Sequence, residues 1–140
     1  MKDYILFVGQ ALPRRHLNDV KLAIERIPDI SLRVVTERVS DAELAELYKN
    51  AKALVYVSDC EAFGLPPLEA LAYGTTPIVA DTPVSRELLG DDAVYCQPTV
   101  DGIADGIRRA LVKKVEPKIR FTWSDYTDRF VSLCKKIAST

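Results

Sequence analysis

Glu61-Ala62-Phe63-Gly64-Leu65-Pro66-Pro67-Leu68-Glu69 places two carboxylates on either side of a Phe-Gly turn and a proline-started helix. A helix opening at Pro66 or Pro67 presents unpaired backbone N–H groups and a partial positive charge at its start, which suits a phosphate. Glu69 then falls in the first turn, where its two oxygens can accept hydrogen bonds from a pair of adjacent hydroxyls such as those of ribose. Taken alone, either glutamate is also an ordinary helix-start residue. The flanking sequence has to decide between the two readings.

Outward from this stretch, short unbroken apolar runs alternate with amphipathic segments. The runs Tyr4–Val8, Leu32–Val35, Ala53–Val57, Pro77–Ala80 and Ala93–Cys96 read as parallel strands buried on both faces. Leu17, Val20, Ile24 and Ile27 share a helix face that stops at Pro28. Leu44, Leu47, Tyr48 and Ala51 share another, opened by the capping box Ser40-x-x-Glu43. Further helices are predicted over Leu68–Tyr73, Ser85–Leu89 and Asp101–Lys114. A last one carries Trp123, Tyr126, Phe130, Leu133 and Ile137 and is expected, as residues 118–140, to pack back across the domain.

This alternation makes an α/β domain with an open, mostly parallel sheet and helices on both faces, spanning residues 1–140. In such sheets ligands gather beyond the carboxyl ends of the strands. The loops at that edge are Gly9–Arg15, Ser58–Gly64 and Asp81–Ser85. Glycine, arginine, carboxylate and a helix start therefore converge on one rim, which favours the functional reading of the two glutamates.

The chain has 140 residues, 48% hydrophobic and 28% charged, with a net charge of -1. That is one globular domain without a general attraction for nucleic acid. No apolar run approaches membrane-spanning length, and the first strand begins at Tyr4, so a cytoplasmic protein is expected. Cys60, Cys96 and Cys134 lack the spacing of a zinc site or a disulfide framework and read as reduced core or near-core thiols.

With these residues in place, the chain resembles the carboxyl-terminal, donor-binding half of a group 1 (family 4) glycosyltransferase of the two-Rossmann-domain (GT-B) type. The likeness is densest over Glu61–Ala80, with its Glu-x7-Glu spacing, Phe-Gly turn and Gly-Thr-x-Pro strand entry. Looser similarity runs from Phe7-Val8-Gly9 and Pro13-Arg14-Arg15 to the Trp123 helix.

The resemblance implies a single Rossmann-like, three-layer domain that binds a nucleotide-diphosphate sugar and transfers the sugar with retention, without metal or other cofactor. Glu69 would hold the ribose hydroxyls, and the catalytic candidate Glu61 would face the transferred sugar. Backbone N–H groups of Phe63, Gly64 and Leu65 would meet the diphosphate or the sugar hydroxyls. Arg15, beside Gly9, would stand where the family has a lysine that offsets charge on the departing diphosphate.

The chain departs from the family pattern at three places. Gln10 replaces a common arginine and His16 a glycine, so Arg14, Arg38 or Arg86 would have to supply a missing cation. Only Thr36–Val39 fills the space of a helix and strand that help hold the base. The acceptor-binding domain has no counterpart here, which points to an acceptor-binding partner chain or a homo-oligomer.

A non-catalytic nucleotide-sugar-binding or protein-interaction domain is the alternative. His16, the only histidine, reads as a partly exposed loop residue rather than a general base. A phospho-receiver built on Asp59 is set aside, because Gly9-Gln10 stand where its acidic pair belongs and the loop after Cys96 offers Gln97 and Pro98 rather than a lysine.

Overall fold

The five apolar runs form strands of one parallel sheet, in a computed structural model that describes residues 3–139. Met1, Lys2 and Thr140, at the ends of the expected domain, lie outside the described residues. In chain order the elements are β1 (Tyr4–Val8), α1 (Leu17–Ile24), β2 (Ser31–Val35), α2 (Asp41–Asn50), β3 (Ala53–Tyr56) and α3 (Leu65–Ala72). There follow β4 (Pro77–Ala80), α4 (Pro83–Leu89), β5 (Val94–Cys96), α5 (Val100–Val112) and α6 (Trp123–Ala138). The spatial order is β2-β1-β3-β4-β5.

Alternation along each strand divides the core into two layers. Ile5, Phe7, Val55 and Ile78 meet Val20 and Ala23 of α1 and Ile103 and Ile107 of α5. Leu6, Leu54 and Val79 meet Leu47 and Tyr48 of α2, Leu71 of α3 and Leu88 of α4. Each fully buried Leu, Ile or Phe side chain contributes about 1.5–3 kcal/mol of transfer free energy. Gly106 lets α5 approach the sheet closely, since a Cβ there would lie 3.0 Å from Ile78 Cγ2 and 3.2 Å from Cys96 Cβ.

Four expectations need correction. β2 is an edge strand and is nowhere fully buried, because Thr36–Val39 leads directly to the Ser40 cap of α2 and, among the described residues, no strand lies beyond it. α3 starts at Leu65, because Gly64 takes a left-handed conformation (φ 80°) and caps it; Glu69 is thus the fifth helical residue rather than a first-turn one.

α6 forms with a capping box between Thr122 and Asp125, yet none of its residues is buried, and Trp123 is 84% and Phe130 57% exposed. An apolar stripe predicts a helix but not the surface that covers it, and both sheet faces already carry other helices. The segment before α6 is the part fastened to the domain. Lys118 N–H donates to the Leu71 carbonyl at 2.9 Å, and Lys118 and Arg120 both pair with Asp92. Finally, Cys60 and Cys134 are exposed; only Cys96 is a core thiol, and burial pushes it up to about 11.

The loops after β1 and β3 are laced together. Asp59 N–H donates to the Arg14 carbonyl at 3.0 Å. His16 Nδ1 lies 2.9 Å from Asp19 Oδ2 and its Nε2 lies 2.6 Å from Asp59 Oδ1. His16 has φ 54°, a left-handed conformation that glycine adopts freely, so the imidazole contacts accompany a backbone cost at the position where the resembled family has glycine.

Burial alone would lower the His16 pKa, but hydrogen bonds and charge from Asp59 and Asp19 outweigh it and raise the pKa above the ordinary value. A raised folded pKa means that the clasp's added stability is complete below the unfolded value of about 6.5 and is lost as pH rises through the folded value.

Urea unfolding of wild type and His16→Asn should therefore differ by about 1 kcal/mol near pH 5.5, with the gap shrinking toward pH 8.5. A gap that is constant or grows with pH contradicts the clasp. Gly106→Val should lower unfolding stability by about 1–3 kcal/mol in the same assay, with helix content unchanged by circular dichroism.

Candidate functional site

The sheet order places the site. β1 continues through α1 on one face and β3 through α3 on the other, so the winding reverses between them, and in open α/β sheets the ligand crevice lies beyond the carboxyl ends at such a point. Gly9 stands at the end of β1 with φ 121°, its N–H bonded to the Val35 carbonyl at 2.9 Å. A Cβ on Gly9 would collide with Arg15 Nη1. Glycine thus leaves the room that the Arg15 guanidinium occupies.

Arg15 reaches across the crevice. Its Nη2 is 3.1 Å from Glu61 Oε1, and its guanidinium carbon lies 5.1 Å from the centre of the Tyr56 ring. Both side chains are largely covered, yet Glu61 Oε1 and Arg15 Nε are enclosed and make no hydrogen bond. The charges are near enough to attract but not aligned as a fork, which leaves unmet hydrogen-bonding capacity in a dry spot. Burial raises the Tyr56 hydroxyl to about 12, with Arg15 opposing the rise and Glu61 adding to it. A neutral phenol therefore backs the pair at neutral pH.

Phe63, Gly64 and Leu65 form the rim beside Glu61, with Phe63 and Leu65 exposed. Pro66 and Pro67 are the second and third residues of α3 and carry no N–H. The donors at the positive end of α3 are accordingly those of Gly64 and Leu65, and no turn or cap hydrogen bond among the described residues uses them. This narrows the sequence expectation of a helix start rich in free amides.

Glu69 lies one turn further along α3 and faces α2, where the Tyr48 hydroxyl donates to its Oε2 at 2.7 Å. Burial and Glu69 together raise the Tyr48 pKa far above that of an ordinary tyrosine. Two hollows flank these groups. A cavity of about 40 Å³ lies between the loops after β3 and β4, lined by Tyr56, Glu61, Phe63, Thr82 and Ser85. A wider one of about 270 Å³ lies beyond β2 and is lined by Val35, Thr36, Glu37, Val39 and Glu43.

All seven residues singled out in the sequence occupy the loops after β1 and β3 or α3. Of the three arginines considered as compensating cations, Arg86 is engaged: its Nε and Nη2 each lie 2.8 Å from an Asp81 carboxylate oxygen, and its guanidinium lies 3.7 Å from the centre of the Tyr95 ring. Arg14 and Arg38 are exposed. Sequence reasoning missed Tyr48 and Tyr56, because a tyrosine on an apolar stripe or at the end of a strand reads as core; the hydroxyl was the signal, since a buried one needs a partner.

Comparison with known proteins identifies the family. Residues 34–129 match the family model described as Glycosyl transferases group 1. The chain is 52% identical over 60 residues to the O-antigen chain mannosyltransferase RfbU of Salmonella typhimurium, covering 43% of this chain and 17% of that protein. It is 24% identical over 175 residues to O-antigen chain mannosyltransferase B of Escherichia coli, covering 96% of this chain and 46% of the relative. That alignment is longer than the chain, so this chain lacks residues that the relative has.

In three dimensions the chain superposes on sucrose-phosphate synthase from Thermosynechococcus elongatus with a TM-score of 0.82 and 18% identity, over 99% of this chain and 46% of that one. The chain spans less than half the length of each of these proteins. Among the described residues no helix is long and apolar enough to cross a membrane. The matched stretch covers well over half of the chain, including every site residue but Gly9 and Arg15, and the sheet has the Rossmann-like form of GT-B enzymes: the chain belongs to the group 1 glycosyl transferases.

Proposed function

We propose that this domain binds a nucleotide-diphosphate sugar and presents it for a retaining glycosyl transfer, as the donor half of a two-part active site. The observation that carries the proposal is the meeting of Arg15, Glu61, the open amides of Gly64 and Leu65, and Glu69 along one crevice at the β1/β3 switch point. In this reading Glu69 takes the ribose hydroxyls, and the hollow beyond β2 receives the base. The diphosphate lies against the start of α3.

Arg15 then exchanges its poorly aligned contact with Glu61 for the diphosphate, where its planar fork can make two parallel hydrogen bonds. As the bond from sugar to diphosphate breaks, negative charge builds on the departing oxygen, and Arg15 with the rim amides offsets it. Glu61, released from Arg15, faces the transferred sugar near its reacting carbon. An acceptor-binding partner chain or a second copy would supply the opposite wall, and a cytoplasmic location belongs to the same proposal.

The names of the relatives put mannose first among candidate sugars. A second reading, a nucleotide-sugar-binding domain without catalysis, draws support from the short Thr36–Val39 connection, which leaves β2 half-exposed beside the hollow assigned to the base.

Thermal and urea unfolding with uridine, guanosine, adenosine and thymidine diphosphate sugars, mannose included, tests the proposal. One donor at a hundred times its Kd should add about 2.7 kcal/mol, and Glu69→Ala should remove most of that gain. Glu61→Gln should keep binding while abolishing transfer in a reconstituted assay with acceptor. No stabilisation by any donor overturns donor binding. Binding without transfer under every acceptor condition selects the second reading.

A further inference from the structure

Glu69 is not held by its own helix. Its partner Tyr48 lies 21 residues earlier on α2 and is itself fixed from several sides. The Tyr48 ring is 1% exposed and stacks on Tyr73 with centroids 5.8 Å apart and planes 11° from parallel. Its backbone carbonyl accepts from Thr75 Oγ1 at 2.5 Å, and the neighbouring Leu47 carbonyl accepts from the Tyr4 hydroxyl at 2.8 Å. The end of α2 is thereby tied to β1 and to the turn before β4, so the phenol oxygen has little freedom to move.

A glutamate on a helix surface ordinarily samples several rotamers, and ordering it on a ligand costs conformational entropy. The Tyr48 hydroxyl occupies one acceptor position of the carboxylate and leaves the others open. We infer that Tyr48 is the positioning residue for Glu69: it holds the carboxylate in one rotamer so that the free acceptor positions meet both hydroxyls of a ribose, which makes Tyr48 a determinant of ribose over 2′-deoxyribose. The inference rests on the reading of Glu69 as the ribose ligand. The phenol remains a proton donor throughout the neutral range, because burial and the adjacent carboxylate both oppose its ionisation.

A tyrosine whose hydroxyl merely satisfies a core would affect all ligands alike. A positioning tyrosine affects the ribose-dependent part alone. The test titrates wild type, Tyr48→Phe and Glu69→Ala calorimetrically with uridine, guanosine and adenosine diphosphates and their 2′-deoxy analogues, using the base that the wild type binds. The ratio of two affinities in one protein sample does not depend on its folded fraction, so partial destabilisation of a variant leaves the readout intact.

Wild type should prefer the ribonucleotide. Tyr48→Phe should bind it roughly five- to tenfold more weakly while binding the 2′-deoxy analogue nearly as wild type does. If Tyr48→Phe keeps the full preference while Glu69→Ala loses it, the positioning role is overturned and the role of Glu69 stands. If wild type binds none of the diphosphates or shows no preference, or if Glu69→Ala leaves the preference intact, the reading of Glu69 fails and the inference fails with it.

Discussion

Two loops that leave the sheet in opposite directions are held together at the β1/β3 switch point, and the candidate site depends on that junction. Adjacent parallel strands would by themselves leave the Gly9–His16 and Ser58–Gly64 loops free to separate, since the helices that follow them lie on opposite faces of the sheet. A backbone hydrogen bond from Asp59 to Arg14 and the His16 clasp on Asp59 set the spacing, and the Arg15–Glu61 pair spans the gap between them. Burial of β1, β3 and β4 supplies the rigid base, because strands packed on both faces tolerate little displacement.

The electrostatics of the junction follow from this spacing. Arg15 and Glu61 are brought close but not into a fork, and each keeps an enclosed polar atom without a hydrogen bond. Partly satisfied polar groups in a dry place are costly and are a common mark of a site that another molecule completes. The amides of Gly64 and Leu65 point the same way, because the two prolines that follow cannot share their role. Glu69 differs in kind. It is already hydrogen-bonded by Tyr48, which in the proposed role of Glu69 as ribose ligand would lower the ordering cost of binding.

Much of this was legible in the residues. The strands could be read because fully buried parallel strands require unbroken apolar runs, and the rim loops followed from the positions where those runs end. The start of α3 was displaced because Gly64, rather than a proline, provides the left-handed cap, which a sequence signals only as a glycine among several. β2 is an edge strand although its run reads like the others: Arg33 interrupts it, and its place in the sheet depends on the short connection after Val35. The stripe of α6 correctly indicated a helix and carried no information about a covering surface. The bond from Tyr48 to Glu69 and that from His16 to Asp59 join residues 21 and 43 positions apart, and no local pattern encodes such pairings.

In the proposed function a nucleoside diphosphate is held across the β1/β3 switch point by the groups that the two loops bring together. A crystal structure of the chain grown with the best-binding nucleoside diphosphate tests it most directly. The diphosphate should lie against the Gly64 and Leu65 amides, with Arg15 turned from Glu61 onto a phosphate oxygen and both ribose hydroxyls on the Glu69 carboxylate. A nucleotide bound elsewhere on the domain, or an Arg15–Glu61 pair unchanged beside a bound diphosphate, would contradict it.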